Sequence, residues 1–191
     1  MRQLRSFLLS LVCLFSLHAA WAQTVDATSI GLAQELLQSL GHPASLQEDA
    51  DSVAAAVNPA ALKNRDYKKG FSMKVFKREL PGLVDSIAQI YADNFTPAEL
   101  KGLNDFFKSQ AGRSIVEVPR LLAASITAKP GSREASNTEA IIKAASQAGE
   151  AFQATALGKT YADRVQNKIE PKTGPLISAV FDKARAAGVD R

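Results

Sequence analysis

The sequence predicts an all-α protein: a single helical domain of about six to eight helices, preceded by a cleaved signal peptide. Three observations carry this. Apolar residues recur at spacings of three and four along most of the chain, the period of a helix face. Two segments, Thr96 to Glu99 and Ser136 to Glu139, place a hydroxyl residue three positions before a glutamate, the reciprocal capping pattern of a helix start. No stretch after residue 22 sustains the period-two alternation of a strand.

Residues 1–22 read as the signal peptide. Arg2 and Arg5 supply the positive start, Phe7 to Leu17 the apolar core, and Ala20-Trp21-Ala22 the small residues before a cleavage predicted after Ala22. The apolar run is short of the roughly 18 residues that mark a membrane span, and no later run is long enough. Leu11 and Val12 precede Cys13, where lipid attachment would need a small residue. The expected location is the bacterial periplasm, with residues 23–191 as the helical domain. Cleavage also removes Cys13, Trp21 and His18, the chain's one cysteine, its one tryptophan and one of its two histidines. The remainder then has no disulfide, thiol nucleophile or thiolate metal site. The net charge of +4 loses Arg2 and Arg5 at the same step, so global charge does not argue for nucleic acid.

The first helix is expected from Asp26 to Leu40, with Ile30, Ala33, Leu36, Leu37 and Leu40 on one face and Gly41 and Pro43 stopping it. A weaker, alanine-faced helix carries Leu46, Ala50, Val53, Ala54 and Val57 and ends at Asn58-Pro59. A third pattern runs from about Asp66 to Asp93, where Pro81 either kinks the helix or opens a new one, because an interior proline costs about 3 kcal/mol. At Phe95-Thr96-Pro97-Ala98-Glu99-Leu100 four local rules agree. Thr96 is the N-cap, Glu99 completes the capping box, Pro97 takes the first helical position, and Phe95 and Leu100 form a hydrophobic staple. Leu103, Phe106 and Phe107 continue the apolar face. Gly112 breaks the pattern, and Ile115, Val118 and Leu122 resume it around Pro119. Lys129-Pro130-Gly131-Ser132 reads as a loop. Ser136 opens a helix with Ile141, Ile142, Ala145 and Phe152, and another segment follows Gly158. Thr173-Gly174-Pro175 reads as a turn before a last short helix with Leu176, Val180 and Phe181.

The stretch from Phe106 to Ser114 has an echo from Phe152 to Thr160: an aromatic, a hydroxyl residue three later, then glycine, a basic residue and a second hydroxyl. Duplication would make two related helical hairpins; with only five loosely matching positions, chance coincidence stands as the alternative.

At these residues the chain resembles an exported bacterial family known as domain of unknown function 2059. Phe95, Thr96, Glu99 and Leu100 match its Phe-Thr-x-x-Glu-Leu helix start. Phe106, Ser109 and Gly112 match the Phe-Tyr-x-Ser-Pro-x-Gly that follows, and Tyr91 and Pro119 also sit where the pattern wants them. Phe107 stands where tyrosine is usual and Gln110 where proline is usual. The resemblance covers roughly residues 63–128. It implies an all-helical periplasmic domain; it does not imply an activity, because the family has none assigned.

The chemistry is bounded by what is missing. His42 is the one histidine outside the signal, beside Pro43 in a turn, which removes Ser-His-Asp and Cys-His mechanisms and ordinary zinc sites. Gly158-Lys159-Thr160 ends like a phosphate loop, but Gln153 stands where the first glycine is required. Glu48, Asp49 and Asp51 read as a solvated acidic face. No catalytic, metal-binding or cofactor-binding residue and no cofactor is expected. The candidate site is a basic stretch, Lys63, Arg65, Lys68, Lys69, Lys74, Lys77 and Arg78, interleaved with Tyr67, Phe71 and Phe76. On a helix it would meet an envelope protein, anionic lipid or an envelope polymer, and its ordinary reading is a solvated face over buried phenylalanines. The expected function is a non-enzymatic binding module of the cell envelope. The alternatives are a carboxylate-based envelope hydrolase and a chaperone-like, stress-related helper.

Overall fold

The computed structural model describes residues 27–64, 67–127 and 133–190. Their regular structure is α1 Ala27–Ser39, α2 His42–Lys63, a 3₁₀ turn Tyr67–Lys69, α3 Met73–Asn94, α4 Pro97–Lys108, α5 Gln110–Thr127, α6 Arg133–Ala154, α7 Ala156–Arg164, a π-helical turn Val165–Ile169 and α8 Glu170–Ala187. The all-α expectation holds. The signal segment, Arg65, Asp66 and the 129–132 loop lie outside the described residues.

Four expected boundaries are corrected. α2 runs on through Pro59, and Thr173-Gly174-Pro175 lies inside α8 rather than forming a turn. α3 begins at Met73, not near Asp66, because the Ser72 hydroxyl accepts from the Val75 N–H and caps it there. α6 begins at Arg133, so Ser136 is a helical residue and not its cap. The open alternative at Pro81 is resolved by α3 continuing through it. Pro59, Pro81 and Pro175 share one property: each is exposed. The carbonyl that each proline deprives of a partner can be met by water, while the opposite face of the helix keeps its packing.

That packing is centred on α1, which lies against α3 and α4, while α8 lies along α3. Leu36, Leu37, Phe71, Phe76, Ile87, Leu100, Leu103 and Ile169 are the largest fully buried side chains. Each is worth about 1.5–3 kcal/mol relative to exposure. α2 contributes mainly alanines, Ala50, Ala54 and Ala61, as its weak pattern foretold. Phe71, Phe76 and Phe181 form one aromatic cluster, with ring centroids 5.3–6.1 Å apart. The extended residues ahead of α3 are held by the Asn58 amide, which bonds both the N–H and the carbonyl of Phe71. The chain's last described residues then turn back at Gly188 (φ 75°). There the Asp190 carboxylate accepts from the Ser72 hydroxyl and the Lys74 N–H, closing the start of α3.

α7, the π turn and α8 follow one another without a break. The Glu170 N–H bonds the Val165 carbonyl, five residues back. Pro171 comes next and has no N–H to give. Its ring would press on the Asn167 carbonyl in a regular α-helix, and the wider turn relieves that contact.

Candidate functional site

The two echoed segments form the same joint. Between α4 and α5, the Ser109 hydroxyl donates to the Phe106 carbonyl (2.6 Å) and accepts from the Gly112 N–H (3.1 Å). Between α6 and α7, the Thr155 hydroxyl donates to the Phe152 carbonyl (2.7 Å) and accepts from the Gly158 N–H (3.0 Å). In both, the glycine sits in the first turn of the following helix, and a Cβ there would overlap the phenylalanine carbonyl oxygen. The break therefore falls at the hydroxyl residue, three positions before the expected glycine. The two joints meet: the rings of Phe106 and Phe152 stack 3.9 Å apart and 9° from parallel.

The capping segment does more than start α4. Glu99 accepts from the Thr96 N–H (2.8 Å) and hydroxyl (3.0 Å), and also from Arg164 at the end of α7 (2.7 Å). The same guanidinium nitrogen donates to the Asn94 carbonyl (2.7 Å), and its carbon lies 5.0 Å from the Phe95 ring centroid. Burial pushes the Glu99 carboxyl up, but the bonds from Arg164 and Thr96 outweigh it and hold the group below the usual carboxylate range. Phe95 in turn stacks on Tyr161 of α7. The N-terminus of α4 thus fixes where α7 lies.

Tyr161 leads into a cleft of about 410 Å³. Phe107 of α4 and Ile115 of α5 form one wall, Gly149, Phe152 and Gln153 of α6 a second. Gly158, Tyr161, Ala162, Val165, Gln166 and Glu170 of the α7–α8 rod form the third. The volume and the few polar groups among apolar and aromatic ones are those of a small-molecule pocket. Tyr161 also faces Tyr91, and the two phenols influence each other. Burial pushes the Tyr91 phenol up to about 12 and raises Tyr161 as well, with the Glu170 charge adding to both. Both stay protonated near neutrality. The π turn helps to aim the third wall: Gly158, Ala162, Gln166 and Glu170 all line the cleft at intervals of four. In a regular α-helix that spacing would drift around the axis.

The expected basic site is not assembled as one helix. Lys63 ends α2, Lys68 and Lys69 belong to the 3₁₀ turn, and Lys74, Lys77 and Arg78 lie on α3. Arg65 lies outside the described residues. Phe71 and Phe76 are fully buried core residues. Arg78 pairs with its neighbour Glu79, which Lys183 of α8 also reaches at 2.9 Å. Of the motif residues, Phe95 and Leu100 are buried, Thr96, Pro97 and Glu99 build the cap, and Phe106, Ser109 and Gly112 build the joint. His42 is carried by α2, and burial lowers its pKa. Among the described residues, no group of three or more His, Cys, Asp or Glu side chains is placed to hold a metal ion.

Residues 82–130 match the family described as an uncharacterized protein conserved in bacteria (DUF2059). The DUF2059 segment spans the second half of α3, α4 and α5, and begins later than the resemblance over residues 63–128 suggested. It contains the cap, the first joint and one wall of the cleft, while the other two walls lie beyond it. No curated protein and no solved structure matches the chain. No helix among the described residues is long and apolar enough to cross a membrane.

Sequence reading missed the cleft. Its one signal was the echo at Phe152 and Gly158, which marked a joint but not that the two joints would face each other.

Proposed function

We propose that the protein is an exported, periplasmic binding module of the bacterial cell envelope that holds a small apolar ligand in the cleft between α5, α6 and the α7–α8 rod. The observation that carries this reading is the cleft itself, about 410 Å³ with walls of phenylalanine, tyrosine, isoleucine, valine and glycine and a sparse polar rim. The signal-like residues 1–22 support export, with residues 23–191 as the working domain. The hydrolase reading has weaker support, since Glu170 is the one carboxylate lining the cleft. A second surface, for an anionic partner, is supported by Lys74, Lys77 and Arg78, whose spacing puts them on one exposed face of α3. Reversing those three charges and measuring binding to anionic vesicles at low salt tests that surface.

The cleft reading is tested by titrating the folded protein with the neutral fluorophore N-phenylnaphthylamine. Saturable binding is expected, and Gly149→Leu, which places a side chain in the cleft opposite Ile115, is expected to abolish it without unfolding the protein. Failure of the unsubstituted protein to bind the dye would overturn the reading.

A further inference from the structure

We infer that the cleft selects a small amphiphile with a cationic head, an inference that rests on the binding function proposed above. Of the cleft's lining residues, Glu170 is the one that carries a formal charge. Its carboxylate forms no salt bridge among the described residues. Lys168 and Lys172, its basic neighbours along the rod, stand two residues away on other faces and do not line the cleft. Arg164 does not line the cleft either and is held by Glu99 and the Asn94 carbonyl.

An apolar ligand seated between Phe152 and Ile115 therefore meets one uncompensated negative charge and no positive one. A carboxylate or phosphate head would be repelled there, while an ammonium head would be attracted, its chain taking up the apolar walls. The π turn and Pro171 bear on this selectivity because they help to bring Glu170 onto the line of Ala162 and Gln166. Glu170 is exposed, so the preference is moderate and weakens with salt.

The test is competition against bound N-phenylnaphthylamine by two amphiphiles of equal chain length, decyltrimethylammonium and decanoate, each below its micelle concentration. The cation should displace the dye at roughly tenfold lower concentration than the anion, a difference of about 1.4 kcal/mol. Glu170→Gln should bring the two within about twofold of each other, each displacement being read against the variant's own dye titration. Dye binding with equal displacement by both, or a cation preference that survives Glu170→Gln, would overturn the selectivity and leave the cleft function standing. Absence of dye binding would overturn both.

Discussion

At the scale of the residue, Gly112 and Gly158 show how little room the two joints leave. A methyl group at either position meets the carbonyl of the phenylalanine six residues earlier, a backbone atom that cannot swing aside. Gly112→Ala and Gly158→Ala are each expected to lower stability by about 2 kcal/mol or more in urea unfolding. Thr96 acts through its hydroxyl. Thr96→Ala should cost about 1 kcal/mol and leave dye binding unchanged, since Thr96 does not line the cleft. Glu99 adds a pH dependence whose sign follows from its depressed pKa. A carboxylate held below its unfolded value of about 4.3 stabilises the fold in full above that value, and the contribution is lost as pH falls through the folded pKa. The Glu99→Gln variant should therefore be less stable than the parent near neutrality. The two should converge as pH falls through the depressed folded pKa, as read from urea midpoints from neutrality into the acid range.

At the scale of the element, the α4 start was legible because several local signals coincide there, whereas the capping pattern at Ser136 falls inside α6. Thr96-Pro97-Ala98-Glu99 specifies a cap with neighbouring atoms alone, and the α4 start falls where it was expected. The prolines were misleading because their effect depends on which side of the helix they face. Pro59 and Pro175 read as ends, yet each faces solvent inside a continuing helix. The basic stretch is divided among three elements for a related reason. The Asn58 amide holds Phe71 ahead of the helix, a bond across 13 residues with no local signature, and Ser72 then caps α3. α6 offers an element-scale check. Gly149 sits mid-helix, and its nearest neighbour to an added Cβ is the Ile115 Cδ1 at 3.9 Å, an ordinary contact. Gly149→Ala should therefore raise stability by about 0.5–1 kcal/mol, in contrast to the same change at Gly112 and Gly158, with thermal unfolding as the measurement.

At the scale of the whole molecule, the echoed joints and the capping segment belong to one arrangement. Phe95 and Glu99 fix α7 through Tyr161 and Arg164, the stacked Phe106 and Phe152 fix α6 against α4, and the space left among these helices is the cleft. The capping stretch, the most recognisable part of the sequence, works as scaffold for a site whose other walls lie outside the DUF2059 segment. That site was not legible because it depends on contacts between residues far apart in the chain, such as Phe106 with Phe152. The claim that the cleft is the working site is tested most directly by mapping dye-induced shifts of backbone amide resonances. Shifts concentrated at Ile115, Gly149, Phe152, Tyr161, Val165 and Glu170 are predicted. Saturable binding whose shifts fall instead on the Lys74–Arg78 face of α3, or scatter over the surface, would contradict it.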